Sequence, residues 1–186
     1  MPFIKIQSED IYFSPNVQEM CVTTSFTCPN YNKSWSCPPV APYMEKETLK
    51  YNEFYLVYSK FDLESYVKET KAKHPKRSEQ KIKNRFYMKY IYQNDLDVEI
   101  NKLFEQYKSA YEQKLVLYDG SCRICMIKKV GNCTYESGEP CRYPDEMRYS
   151  MEAVGIEVIK TVLNLKADIE YPSNKYTYRF GLACFK

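Results

Sequence analysis

Four cysteines fall within a 20-residue stretch, in the pattern Cys122-x2-Cys125-x7-Cys133-x7-Cys141, and no other feature restricts the chain as strongly. The stretch is otherwise loop-like. Cys122 and Cys125 have the C-x-x-C spacing, which turns two sulfurs toward one metal or one cluster because the intervening turn points backbone N–H groups inward. Four thiolates complete the shell of a zinc ion or of a cubane iron–sulfur cluster. The remaining spacing differs from a zinc ribbon, where two C-x-x-C knuckles face each other. It also differs from the compact bacterial ferredoxin run C-x2-C-x2-C-x3-C-P.

A second group, Cys21-x6-Cys28-x8-Cys37, supplies three more thiols among Pro29, Pro38, Pro39 and Pro42. Consecutive prolines do not fit inside a helix, so Cys37 is expected on an extended loop. Three cysteines can hold a cubane with one iron left open to a substrate. Alternatively, Cys28 and Cys37 join Cys184, or Cys21 and Cys184 are free buried cysteines, a common fate for this residue. Trp35 and the Cys37-Pro38-Pro39 turn would shield a site here from water.

Composition removes several function classes. The chain of 186 residues has one histidine, His74, so sites built on two histidines are excluded. His74 lies in the charged run Lys71–Arg77 and is expected to be exposed. With 5 glycines, no dinucleotide or P-loop phosphate motif can be drawn. A net charge of +3 is too mild for a nucleic-acid binder or a polybasic membrane anchor. The N-terminal residues do not read as a secretory signal, and no apolar run reaches the roughly 20 residues of a membrane span. The expectation is a cytoplasmic protein with no membrane and no nucleic-acid partner, whose eight cysteines are metal ligands or redox thiols instead of disulfides. Arg123, Lys128, Lys129, Arg142 and Arg148 flank the second cysteine group. They either stabilise an anionic cluster and raise its potential or form a solvated basic loop.

The rest of the chain reads as scaffold. Phe54–Tyr58 is aromatic and β-branched, as buried strands are. Leu96, Ile100, Leu103, Phe104, Tyr107 and Tyr111 form one apolar helical stripe. Leu115–Tyr118 reads as a short strand ended by Asp119-Gly120, and Tyr176–Phe180 alternates as a terminal strand. Residues 62–94 read as helical in pieces around Pro75, and Ser150 as the N-cap of a helix over 150–163. The expected architecture is α/β: a small mixed or parallel sheet from 54–59, 114–118, 176–184 and 3–7, covered by helices near 95–112 and 150–163. The order 54–59, 95–112, 114–118 suggests a parallel crossover. A single domain spans 1–186, with cysteine-rich metal-binding loops at 20–44 and 119–146. The second loop leaves the carboxyl end of strand 114–118, where ligands commonly bind in such sheets, and the first is expected to fold over that edge.

Three stretches together resemble a family of predicted metal-binding proteins, domain of unknown function 2284, whose members come largely from anaerobic bacteria and archaea. They are Cys28-Pro29-Asn30-Tyr31-Asn32-Lys33-Ser34-Trp35-Ser36-Cys37-Pro38-Pro39, then Asp119-Gly120-Ser121-Cys122-Arg123-Ile124-Cys125, then Pro140–Pro144 running on into Ser150–Val158. The resemblance covers about residues 20–165; Glu157 stands where the family pattern suggests Asp. It implies an iron–sulfur or other thiolate-metal protein of anaerobic metabolism, with ligands at Cys28, Cys37, Cys122, Cys125, Cys133 and Cys141; Cys184 lies outside it. Cys21 lies at the edge of the matching region and is a candidate ligand as the first of the three thiols Cys21, Cys28 and Cys37.

Three readings follow. One is an iron–sulfur protein with one or two 4Fe–4S clusters, acting in electron transfer or cluster-based catalysis with a redox partner protein or a small-molecule substrate. Another is a zinc-stapled interaction module without redox activity. The third is a thiol oxidoreductase using Cys122 and Cys125 as a redox pair. A homo-oligomer sharing a cluster across its interface is compatible with the first.

Overall fold

The computed structural model describes residues 2–89, 93–107, 111–165, 169–172 and 174–186. Strands β1 (Phe3–Ile6), β2 (Glu53–Asp62), β3 (Lys114–Leu117) and β4 (Tyr176–Phe185) form a four-stranded sheet in the order β1-β2-β4-β3. The helices are α1 (Asn16–Glu19), α2 (Glu45–Thr48), α3 (Leu63–Lys73), α4 (Glu79–Lys89), α5 (Gln93–Gln106), α6 (Ile124–Ile127) and α7 (Val158–Asn164).

All four strands lie where the residue pattern puts them, but the expected parallel or mixed sheet is overturned. Every neighbouring pair is antiparallel. β2, α5 and β3 do run strand–helix–strand with β2 and β3 pointing the same way, yet β4 is inserted between them, as in a split βαβ arrangement. Register explains the insertion. β4 pairs with β2 from Glu53↔Phe185 to Asp62↔Tyr176, whereas β3 offers only Lys114↔Phe185 to Leu117↔Leu182. The longer ladder carries more hydrogen bonds and cross-strand pairs, so β2 and β4 take the centre.

Phe54, Tyr55, Leu56 and Val57 are buried in succession, which requires cover on both faces of the sheet. On one face Tyr55, Val57, Ala183 and Phe185 meet Leu96, Ile100 and Leu103 of α5. Leu96, Ile100, Leu103 and Phe104 of the predicted stripe are thus the packing face of α5, which ends at Gln106 and not at 112; Tyr107 and Tyr111 pack on the same cluster beyond its end, and positions 108–110 lie outside the described residues. Gly181 lets this helix and β3 close in: a Cβ there would stand 2.8 Å from the Leu117 carbonyl and 3.4 Å from the Ile100 side chain. On the other face Phe54, Leu56, Leu182 and Cys184 pack against Met151, Val154, Ile156 and Val162. A third cluster joins α3 and α4 through Leu63, Val67, Ile82 and Phe86. These two helices flank Pro75 as expected, and His74 is exposed at the end of α3; residues 90–92 of the same stretch lie outside the described residues.

The helix expected over 150–163 is broken. Ser150 is not its N-cap, a place taken by Met151, although its hydroxyl does accept the Ala153 N–H at 3.1 Å; the turn Glu152–Val154 stops at Gly155, which has φ +96. A side chain at Gly155 would strike the Tyr43 ring at 2.4 Å. Ile156 then bridges Phe13, and α7 begins at Val158.

Candidate metal centre

Residues 119–149 leave the sheet and return to it at one point. Tyr118 donates its N–H to the Tyr149 carbonyl (2.8 Å), Met151 donates to the Tyr118 carbonyl (3.0 Å), and Tyr118 and Ser150 form a parallel bridge. This clamp sits at the carboxyl end of β3. Beside it Asp119 forms an ion pair with Arg179 of β4, and Gly120 adopts φ +62 to launch the loop.

Within the loop, Ile124 on α6 is the buried anchor. The Val130 N–H returns to the Cys125 carbonyl at 3.0 Å, and the Thr134 hydroxyl ties the turn Thr134–Ser137 to the Pro140 carbonyl at 2.9 Å. The result is a cavity of about 300 Å³ whose wall contains Cys122, Cys125, Cys133 and Cys141 together. All four are half-buried, unlike an ordinary core cysteine. Arg142 donates to the Cys125 sulfur at 3.8 Å and to the Asn132 carbonyl at 2.9 Å, which fixes a guanidinium beside the thiol. Arg123 also lines the cavity. Arg148 is directed elsewhere: it binds both carboxylate oxygens of Asp97 at 2.9 Å and covers the Tyr118 ring. Lys128 pairs with Glu146 at 2.8 Å, over the Tyr143 ring. Of the five flanking cations, Arg142 thus reaches a cysteine sulfur and Arg123 lines the cavity, while Lys129 is exposed as in the solvated-loop reading.

The first cysteine group assembles separately. A bridge between Val22 and Thr27, with the Cys28 N–H on the Cys21 carbonyl at 2.8 Å, folds a hairpin that sets Cys21 beside Cys28. Burial raises the Cys21 thiol, and the nearby Cys28 and Glu152 charges add to the rise. Cys37 sits in a tight turn in which its carbonyl accepts the N–H groups of Val40 (3.2 Å) and Ala41 (3.1 Å). Burial pushes its thiol up to about 11; hydrogen bonds from Ser36 and Ser34 oppose the rise, while the charges of Cys28 and Cys21 reinforce it. Cys21 and Cys28 are therefore neighbours, and Cys37 lies within reach of their charge.

The two loops dock on each other, as expected. Ser36 Oγ accepts the Cys122 N–H at 3.2 Å, the Trp35 indole donates to the Glu139 carbonyl at 3.2 Å, and the Tyr135 hydroxyl donates to Asn32 Oδ1 at 2.6 Å. The Trp35 and Tyr135 rings meet edge to face at 4.9 Å. Pro29, Lys33, Ser34 and Trp35 so complete the wall of the four-cysteine cavity, which puts Trp35 at the second group instead of the first, where a shielding role is expected of it. The first loop is held to the sheet layer by Gln18, whose side-chain amide donates to the Ala41 (2.9 Å) and Ala153 (2.8 Å) carbonyls. Ser34, Ser36, Asn32 and Tyr135 carry no sequence signal of their own; their roles exist only once the loops meet.

Cys184 does not join Cys28 and Cys37. It lies opposite Phe54 and Leu115 in the sheet, fully buried in the core, and burial pushes its thiol up to about 12. Its reading as a free core cysteine holds. Among the described residues, no three His, Cys, Asp or Glu side chains are placed to hold one metal ion as they stand. No helix among those residues is long and apolar enough to cross a membrane.

A family model described as predicted metal-binding protein, DUF2284, matches residues 4–184. The chain belongs to this family. The match takes in the sheet strands as well as both cysteine loops, and its description is of predicted metal-binding proteins, with no metal named. Comparison with curated proteins and with solved structures gives no match.

Proposed function

We propose that this DUF2284 protein is an iron–sulfur protein of anaerobic metabolism, serving electron transfer or cluster-based catalysis. Cys122, Cys125, Cys133 and Cys141 would hold a 4Fe–4S cluster. The observation that carries this reading is the gathering of four half-buried thiols from one loop around one cavity of about 300 Å³. The donor set is soft sulfur, which selects zinc, copper(I) and iron–sulfur clusters over hard cations. A lone tetrahedral zinc with Zn–S near 2.3 Å needs its sulfurs drawn to about 3.8 Å of one another. Four thiols around a cavity of this size suit a cluster, where each thiolate meets a different iron.

Such a cluster supplies one-electron chemistry at a potential set by charge, hydrogen bonding and exposure. The chain's own groups supply those settings. Arg142 donates to the Cys125 sulfur and stabilises added negative charge, and Trp35, braced by the Tyr135 ring, forms part of the cavity wall. Cys21, Cys28 and Cys37 would hold a second cluster, or one with an open iron. A second cavity, about 470 Å³, lies between α7 and the start of the 119–149 loop, bordered by Met20, Asp119, Glu152 and Arg179. None of the first group's cysteines lines it, so a small substrate held there would reach an open iron only past Met20, the neighbour of Cys21 in the chain. A redox protein would otherwise take that role.

Replacing Cys122 by Ser tests the reading. The variant is expected to lose the brown colour and about four irons per chain; a variant with full iron and sulfide would contradict the assignment.

A further inference from the structure

The deepest polar contact between the two cysteine groups is a pair of serines. Ser34 and Ser36 are 5% and 1% exposed, in a region where most side chains are accessible. Buried hydroxyls carry a cost unless every donor and acceptor is matched, so their partners can be counted. Ser34 Oγ accepts the Ser36 N–H at 3.3 Å. Ser36 Oγ accepts the Cys122 N–H at 3.2 Å. The hydroxyls bond each other at 3.0 Å, and Ser36 Oγ lies 4.0 Å from Cys37 Sγ.

Two hydroxyl protons are available, and the Ser34–Ser36 bond uses one, with either hydroxyl able to donate. The second proton stays with whichever serine accepts in that bond, and both serines reach the Cys37 sulfur. With Ser34 as the donor, the Cys122 amide and the Ser34 hydroxyl fill the lone pairs of Ser36, and its own proton is free for the Cys37 sulfur.

We propose that Ser36 is a positioning residue that couples the two thiol groups: its hydroxyl donates to the sulfur of Cys37 in the first group and holds the backbone amide of Cys122 in the second. This rests on the reading of Cys37 and Cys122 as cluster ligands. A hydrogen bond to a ligand sulfur stabilises the reduced, more negative form, so it raises the reduction potential. The Cys122 amide, once released, would lose its partner in a part-buried position and loosen the start of the C-x-x-C turn.

The experiment compares anaerobically purified wild type with Ser36→Ala, Ser36→Thr and Ser34→Ala, measuring iron, sulfide and the potentials by redox titration. Wild type without iron and sulfide would sink the iron–sulfur reading itself, before any variant is considered. With clusters present, S36A is expected to keep its iron and to shift one reduction equilibrium about tenfold toward the oxidised form, about 59 mV lower for one electron. S36T, which keeps the hydroxyl, is expected to return to the wild-type potential. S34A leaves the Ser36 proton on Cys37 and is expected to shift the equilibrium less than about twofold. S36A at the wild-type potential, or S36T as displaced as S36A, would overturn the proposal. Should S36A fail to fold, S34A still decides: a tenfold shift there would show that Ser36 is not the donor.

Discussion

The sheet layer and the 119–149 loop are organised by different forces. The sheet is closed on both faces by residues with no exposed surface, among them Leu56, Val57, Leu96, Leu103, Leu117 and Met151. The loop buries little: Ile124 and Thr134 are its inward side chains, whereas Met126, Ile127 and Val130 stand 63%, 52% and 41% exposed. Burial stabilises by about 25 cal/mol per Å² of apolar surface, so the sheet has an ample source of stability and the loop does not. The loop is tied by its clamp at Tyr118, by the ion pairs Asp119–Arg179 to β4 and Arg148–Asp97 to α5, and by contacts to the first cysteine loop, all of them polar or small. The contrast teaches that a metal bound by the four thiols would supply folding energy to the loop while the sheet stands without it.

The sharpest test of that contrast is metal removal. Chelation or the Cys125→Ser variant is expected to abolish amide-exchange protection across 119–149 while β2 and β4 keep theirs. Loss of protection in both regions together would break the comparison. The reverse test comes from the core: Leu182→Ala is expected to cost about 2–5 kcal/mol of global stability, read by denaturant titration, with metal stoichiometry unchanged. Gly181→Ala is expected to cost about 1–3 kcal/mol, since a Cβ would meet the Leu117 carbonyl at 2.8 Å. Ser150→Ala, at the junction of the two regions, is expected to cost about 1 kcal/mol through the lost Ala153 bond. If this last change also lowered metal content, the clamp would be shown to transmit order from sheet to loop.

The two regions also differ in how much the sequence reveals. The strands and the α5 stripe follow from local periodicity, because apolar residues must face a core wherever the chain goes. The insertion of β4 between β2 and β3 does not, since pairing partners far apart in the chain leave no local trace. Gly155 was a visible breaker inside the predicted helix, yet its necessity depends on Tyr43, more than 100 residues away in sequence. In the loops, thiol spacing identifies Cys122, Cys125, Cys133 and Cys141 as a set because ligand chemistry is local. The guanidinium at Cys125 was among several equivalent cations, and what distinguishes Arg142 from Arg148 is the competing carboxylate of Asp97. Ser36 carries no signal at all until Cys122 arrives beside it.

The most direct test of the account is the iron, zinc and acid-labile sulfide content of anaerobically purified protein. One cubane in the four-cysteine cavity predicts about four irons and four sulfides per chain, and about eight of each if the first group also holds a cluster. Zinc without sulfide would contradict the iron–sulfur reading and leave a metal-stapled loop on a self-sufficient sheet.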